Sequence, residues 1–263
     1  MNIVVCIKQV PETTEVKIDP ETKTLVRSGV ASIINPFDEY AIEEGVRLKE
    51  RLGAGTVTVL TMGPPQAEAA LREAIARGVD EMVLVSDRKF AGSDTWSTSR
   101  ILAQAIRKLG PVDLVICGKQ AIDGDTAQVG SGISVHLGLP QLAYVSEIIE
   151  IAPGKAKMKR MADNGHEIFE LPLPAVITVV KEINVPRLAS LKGKMRAKKA
   201  ALRTWTCDDL GMEEDTVGLK GSPTRVVEIF SPPRPTGGQV IAEADVTVAA
   251  DRLVTTLRAE RII

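Results

Sequence analysis

The feature that most constrains this chain is a regular alternation in its first half, where short β-rich runs are separated by segments with helical apolar spacing. Runs at Ile3–Ile7, Thr56–Thr61, Glu81–Val85 and Val112–Cys117 read as strands. Between them the spacing predicts helices near Asp38–Arg51, Gln66–Arg77 and Asp94–Lys108, since sets such as Ile101, Ala105 and Leu109 fall on one face. Such alternation specifies a mainly parallel sheet covered by helices, the doubly wound α/β class. A further helix is expected to start at Asp125, with Gln128 completing a capping box, and to run to about Leu137.

After Pro140 the period changes to two. Tyr144–Ile151, Lys155–Met161 and His166–Leu171 are joined by Pro153-Gly154 and Asp163-Asn-Gly165, turns that predict antiparallel hairpin strands added to the sheet, and a β-rich run Ala175–Val180 follows. The stretch from Pro186 to Lys199 is basic and predicts an exposed loop entering a short helix. A proline-marked tail then leads to a helical stretch, Asp245–Arg261, with Val248, Leu253, Val254 and Leu257 on one face, as in an arm that docks on its own domain or on a partner. The domain reading is therefore 1–200 for the α/β domain and 201–263 for a C-terminal arm.

In open α/β sheets, ligands sit beyond the carboxyl ends of the strands. The loops there are Cys6–Pro11, Met62–Gln66, Ser86–Gly92 and Gly118–Gly132. The last is the most informative, because Gly118, Gly124, Gly130 and Gly132 allow close backbone approach and a helix start offers free amides to a phosphate. A nucleotide or dinucleotide suits it, although the same glycines also serve a tight loop and cap. No GxGxxG follows the first strand and no Walker A sequence occurs, which disfavours a standard NAD site and a P-loop.

Catalytic groups of the chain's own are not apparent. No GxSxG elbow occurs; His136 reads as a satisfied core histidine and Cys117 as a small buried residue. Three cysteines at wide spacing and two histidines encode neither a disulfide framework nor a metal site. A carrier or binding role follows, with any redox chemistry belonging to a cofactor. Lys plus Arg total 33 against 34 for Asp plus Glu, a net charge of -1, so no global attraction to nucleic acid exists. Aromatics are 3% of the chain and none interleaves the basic run, whereas Leu188 and Leu191 supply apolar anchors there, which favours protein docking. No run approaches the ~20 apolar residues of a membrane span, and MNIVVCIKQVPE lacks the start of a signal peptide, so a cytoplasmic protein without membrane insertion is expected.

Six blocks in order, VVCIKQVP, INPFDEYAIEEGVRLKE, TMGPP, VICGKQAIDGDTAQVG, ELPLPAVITVV and VPRLASLKGKMRAKK, resemble the β subunit of electron transfer flavoproteins from about residue 1 to 200. The resemblance implies a domain of adenine-nucleotide-binding type and a heterodimer with an α subunit, over which the C-terminal arm reaches. It implies a nucleotide site at Cys6, Asn35, Pro36, Phe37, Asp38 and Met62, and in the loop Ala121, Ile122, Asp123, Gly124, Asp125, Thr126, Ala127, Gln128, Val129, Gly130, Ser131 and Gly132. Ser131-Gly132 stands where the family pattern has Pro-Glu. A recognition loop at about 179–201 would dock the redox partner through Leu188, Leu191, Arg196 and Lys199. Ordinary members keep AMP in the site and shuttle electrons from dehydrogenases. Bifurcating members, which this sequence resembles more at Leu25-Val26-Arg27, Asn35–Asp38 and Asp123–Gly130, place FAD there and reduce it with NADH. Electrons would then pass to ferredoxin or flavodoxin and, through the α-subunit FAD, to an acyl-CoA or other dehydrogenase, with Arg27 near the isoalloxazine. A third reading from a different class is an ATP-binding signalling module on a similar fold, needing no α subunit.

Overall fold

The computed structural model describes residues 1–12, 31–227 and 236–263. Leu25, Val26 and Arg27 therefore lie outside the described residues. In chain order the first unit contains β1 (Asn2–Cys6), β2 (Gln9–Pro11), β3 (Ser32–Ile34), α1 (Pro36–Leu52), β4 (Thr56–Met62), α2 (Glu68–Ala76), β5 (Glu81–Val85), α3 (Thr95–Leu109) and β6 (Leu114–Gly118). It continues with α4 (Val129–Leu137), β7 (Gln141–Ala152), β8 (Lys155–Ala162), β9 (Gly165–Pro172), β10 (Ala175–Val179), α5 (Leu191–Lys199) and β11 (Leu202–Trp205). A second unit holds α6 (Val246–Ala259), capped by Asp245, whose carboxylate accepts the Thr247 N–H at 2.8 Å.

Among the described residues, nine strands form one sheet in the order β11-β5-β4-β1-β6-β10-β7-β8-β9. β1, β4, β5, β6, β10 and β11 run parallel with their neighbours, and β7 is parallel to β10. The central strands are continuous apolar runs because helices cover both of their faces. On one face α1, α2 and α5 pack through Ile42, Leu48, Leu71, Ile75 and Ala197. On the other, Ile101, Ile106 and Ile133 of α3 and α4 pack over Val4, Leu60 and Val115. From β1 the chain steps outward to β4 and β5, then returns to place β6 on the other side of β1. That reversal is a topological switch point at the carboxyl ends of β1 and β6, where sheets of this kind form a ligand crevice.

The doubly wound class and the antiparallel additions are as the sequence predicts: β7, β8 and β9 form a meander. Three differences have physical causes. The helix expected from Asp125 begins at Val129, because Asp125 and Ala127 adopt φ of 54° and 53°, left-handed values that cannot belong to a helical first turn. Asp125 caps nothing there; its carboxylate takes the Gln120 side-chain amide. β2 and β3 form a separate short antiparallel ladder, too short for a periodicity signal. β11, at four residues equally faint in sequence, pairs with β5. The first unit runs through Val227, so residues 201–227, which the sequence reading joined to the arm, lie in the unit that contains the sheet.

Candidate functional site

The crevice is built where α1 starts. Asn35 occupies the N-cap position ahead of Pro36, which suits a first helical position because its missing N–H would be unsatisfied anyway. Asn35 is fully buried and its side chain does not cap the helix. It reaches across to the loop after β6 instead, donating from Nδ2 to the Gln120 carbonyl at 2.8 Å and accepting the Ile122 N–H at 3.1 Å. One buried amide thus ties the entrance of α1 to the loop that leaves β6.

Asp38 lies one turn further on and is also buried. Its Oδ2 accepts the backbone N–H of Lys8 at 2.7 Å, fixing the exit of β1. Burial pushes this carboxyl up to about 7, against the opposing hydrogen bonds from Lys8, Asn35 and Gly118. The Lys8 ammonium pairs with Asp123 at 2.6 Å, a second, more exposed tie between β1 and the loop. Cys6 and Cys117 are direct cross-strand partners beneath the crevice. The neighbouring Cys6 sulfur, together with burial, pushes the Cys117 thiol well up, which makes it an inert core group as the sequence suggests.

The loop itself turns through Asp125 N–H to Ala121 O at 2.9 Å, and Thr126 is met by the Thr95 hydroxyl at 3.3 Å. Its glycines divide by role. A Cβ on Gly130 would stand 2.6 Å from Thr178 Cγ2, and one on Gly132 would stand 2.5 Å from Ser99 Oγ, so these two let α4 close on β10 and α3. A Cβ on Gly124 would meet nothing. Among the four glycines singled out in the sequence, Gly124 is thus the one whose lack of a side chain leaves open space. No side chain caps α4, which leaves its first-turn amides available. A buried tether, a left-handed loop and an uncapped helix start beside a sheet switch point together suit a phosphate-bearing nucleotide. The described residues hold no cluster of metal-ligating side chains.

The structure brings Cys6, Asn35, Pro36, Phe37, Asp38 and the 121–132 loop to this end of the sheet, with Met62 ending β4 beside them. It also adds residues the sequence reading missed. The Lys119 ammonium lies over the rings of Phe37 at 5.9 Å and Tyr144 at 5.6 Å. Tyr144 sits at φ 61°, unusual for a bulky side chain, where the register between β7 and β10 shifts. The scarcity of aromatics is the one sequence signal that marks Tyr144, one of two tyrosines. His136 departs from expectation too: it is half-buried against the exposed Trp96 ring at 4.5 Å, with Nε2 unpartnered among the described residues, and burial lowers its pKa.

The four docking residues lie apart from the crevice, at the entrance to α5 and along it. Leu188 and Leu191 are 90% and 77% exposed. The segment carrying them is held firmly: Arg187 spans Glu43 at 2.8 Å and Glu50 at 2.7 Å on α1, and Ser190 caps α5 at Gly193 N. Arg196 donates to the Ile75 and Val79 carbonyls at 2.5 and 2.7 Å, closing the end of α2, while Lys199 is exposed.

Residues 22–210 match the electron transfer flavoprotein domain. The chain is 48% identical, over 264 aligned positions that cover all of both chains, to an electron transfer flavoprotein subunit beta of Thermoanaerobacterium thermosaccharolyticum. It is 48% identical over 263 residues, again the whole of both chains, to the caffeyl-CoA reductase-Etf complex subunit CarD of Acetobacterium woodii. To the protein FixA of Azotobacter vinelandii it is 46% identical over 252 residues, 93% of this chain and 89% of that one.

Proposed function

Because the chain belongs to the electron transfer flavoprotein family as a β subunit, we propose that it binds FAD in the crevice between β1 and β6 while paired with an α subunit. Bound there, FAD would supply the chemistry that accepts a hydride from NADH and divides the electrons between ferredoxin or flavodoxin and, through the α-subunit flavin, a dehydrogenase. The chain's own residues bind and orient. The observation that carries this reading is the Asn35 side chain joining α1 to Gln120 and Ile122, which sets the loop 119–128 over the crevice. Gly124 leaves room beside that loop, and the start of α4 offers amides to a pyrophosphate. Arg27, in the resemblance, would add a cation near the ring.

No acid, base or nucleophile is assigned, so NADH-dependent reduction belongs to the complex with the α subunit and not to this chain alone. The relative named as a subunit of a caffeyl-CoA reductase-Etf complex supports a reductase as partner. Leu188 and Leu191, presented on a segment braced by Arg187, are the docking anchors, with Lys199 as a nearby exposed charge. Arg196 acts by holding the segment to α2. A cytoplasmic location fits, and no described helix is long and apolar enough to cross a membrane. The test is anaerobic: the heterodimer with its dehydrogenase should reduce ferredoxin from NADH only when the dehydrogenase's acceptor is present. NADH-independent shuttling by an AMP-containing heterodimer would replace this reading with the conventional carrier.

A further inference from the structure

Lys119 is the residue at the crevice that the ties described above leave unused. Its backbone N–H is fixed to the Val179 carbonyl at 2.9 Å, and its half-buried side chain lies over the rings of Phe37, from the first turn of α1, and Tyr144, from β7. Tyr144 is held in its left-handed conformation while its N–H donates to Thr178 Oγ1 at 3.0 Å, next to the point where Gly130 closes on Thr178. Left-handed backbone at a bulky residue costs on the order of 1–3 kcal/mol and survives where surrounding structure imposes it. Two ring faces attract an ammonium and remove part of its water. They supply no counter-charge. The other crevice lysine, Lys8, is matched by Asp123, whereas among the described residues no carboxylate pairs with Lys119.

We propose that Lys119, seated on Phe37 and Tyr144, is the fixed cation of the crevice and takes an anionic group of the bound nucleotide. This rests on the nucleotide-binding reading above and adds a specificity-determining residue to it. The loop couples to the same contact, since Gln120, the next residue, is bound through its carbonyl to Asn35 and through its side chain to Asp125. A partly desolvated cation with no carboxylate partner among the described residues is stabilised by an anion that enters beside it. The anion has two sources in such a ligand: a phosphate, or the ring of a reduced flavin.

The test titrates the α–β heterodimer, freed of exchangeable nucleotide, with AMP, with FAD and with dithionite-reduced FAD, for the wild type, Lys119→Gln and Lys119→Arg. If the phosphate is the partner, Lys119→Gln weakens all three by about tenfold or more, the scale of one charge-assisted hydrogen bond. If the reduced ring is the partner, only reduced FAD weakens. Lys119→Arg, which keeps charge and can stack on the rings, should retain most of the affinity in either case. Affinities of Lys119→Gln within about twofold of wild type for all three ligands, with an unchanged melting temperature, would overturn the proposal. A wild-type heterodimer that binds none of the three would instead refute the nucleotide site itself, and the lysine's role with it.

Discussion

At the scale of single residues, the crevice depends on a few buried polar groups whose removal has separable effects. Asn35→Ala strands the Gln120 carbonyl and the Ile122 N–H, and should cost on the order of 2 kcal/mol together with faster proteolysis of the loop 119–128. A melting temperature unchanged by that substitution would show that the tether is not needed. Asp38 gives a pH signature. Its folded pKa is raised to about 7, so the fold favours the protonated form; its contribution is complete below about pH 4 and is lost as the pH rises towards 7. Asp38→Asn should therefore flatten the melting temperature profile between about pH 4 and 7 and melt no lower than wild type at about pH 8. The glycines separate packing from ligand: Gly132→Ala collides with Ser99 and should destabilise by roughly 1–3 kcal/mol. Gly124→Ala should leave stability within about 0.5 kcal/mol and weaken nucleotide binding.

Elements were legible in proportion to their periodicity. β1, β4, β5 and β6 are apolar runs and α3 has a strong stripe with an Asp94 cap, so their places could be read within a few residues. The start of α4 could not. Asp125-Thr-Ala-Gln128 has the composition of a capping box, but Asp125 and Ala127 are left-handed, and Asp125 is held by Gln120 and Ala121 in contacts that the capping-box pattern does not encode. Lys119 and Tyr144 were hidden for a related reason, since they meet only when β6, β7 and α1 converge. Conversely, the basic stretch reads in sequence as a loop entering a short helix, as the structure has it, while the function of its cations does not show there: Arg187 and Arg196 are consumed in bracing. At this scale Leu188→Ala with Leu191→Ala should shift the melting temperature by no more than about 2 °C, because both side chains are exposed, yet slow electron delivery to the dehydrogenase severalfold. Equal rates would remove these leucines from the docking surface.

At the scale of the molecule, the sheet with its two helical layers belongs to residues 1–227, and α6 belongs to a second unit. Val246, Val248 and Leu253 are exposed apolar residues of α6. A chain ending at Val227 should keep a cooperative thermal transition and lose affinity for the α subunit; loss of the transition would mean that the tail is part of the fold. Central to the proposed function is a nucleotide held between β1 and β6. The most direct measurement is to purify the heterodimer without added flavin, denature it and identify the released nucleotides. Two FAD per heterodimer is the predicted result; one FAD with one AMP would contradict the FAD assignment, and one FAD with no second nucleotide would contradict the site.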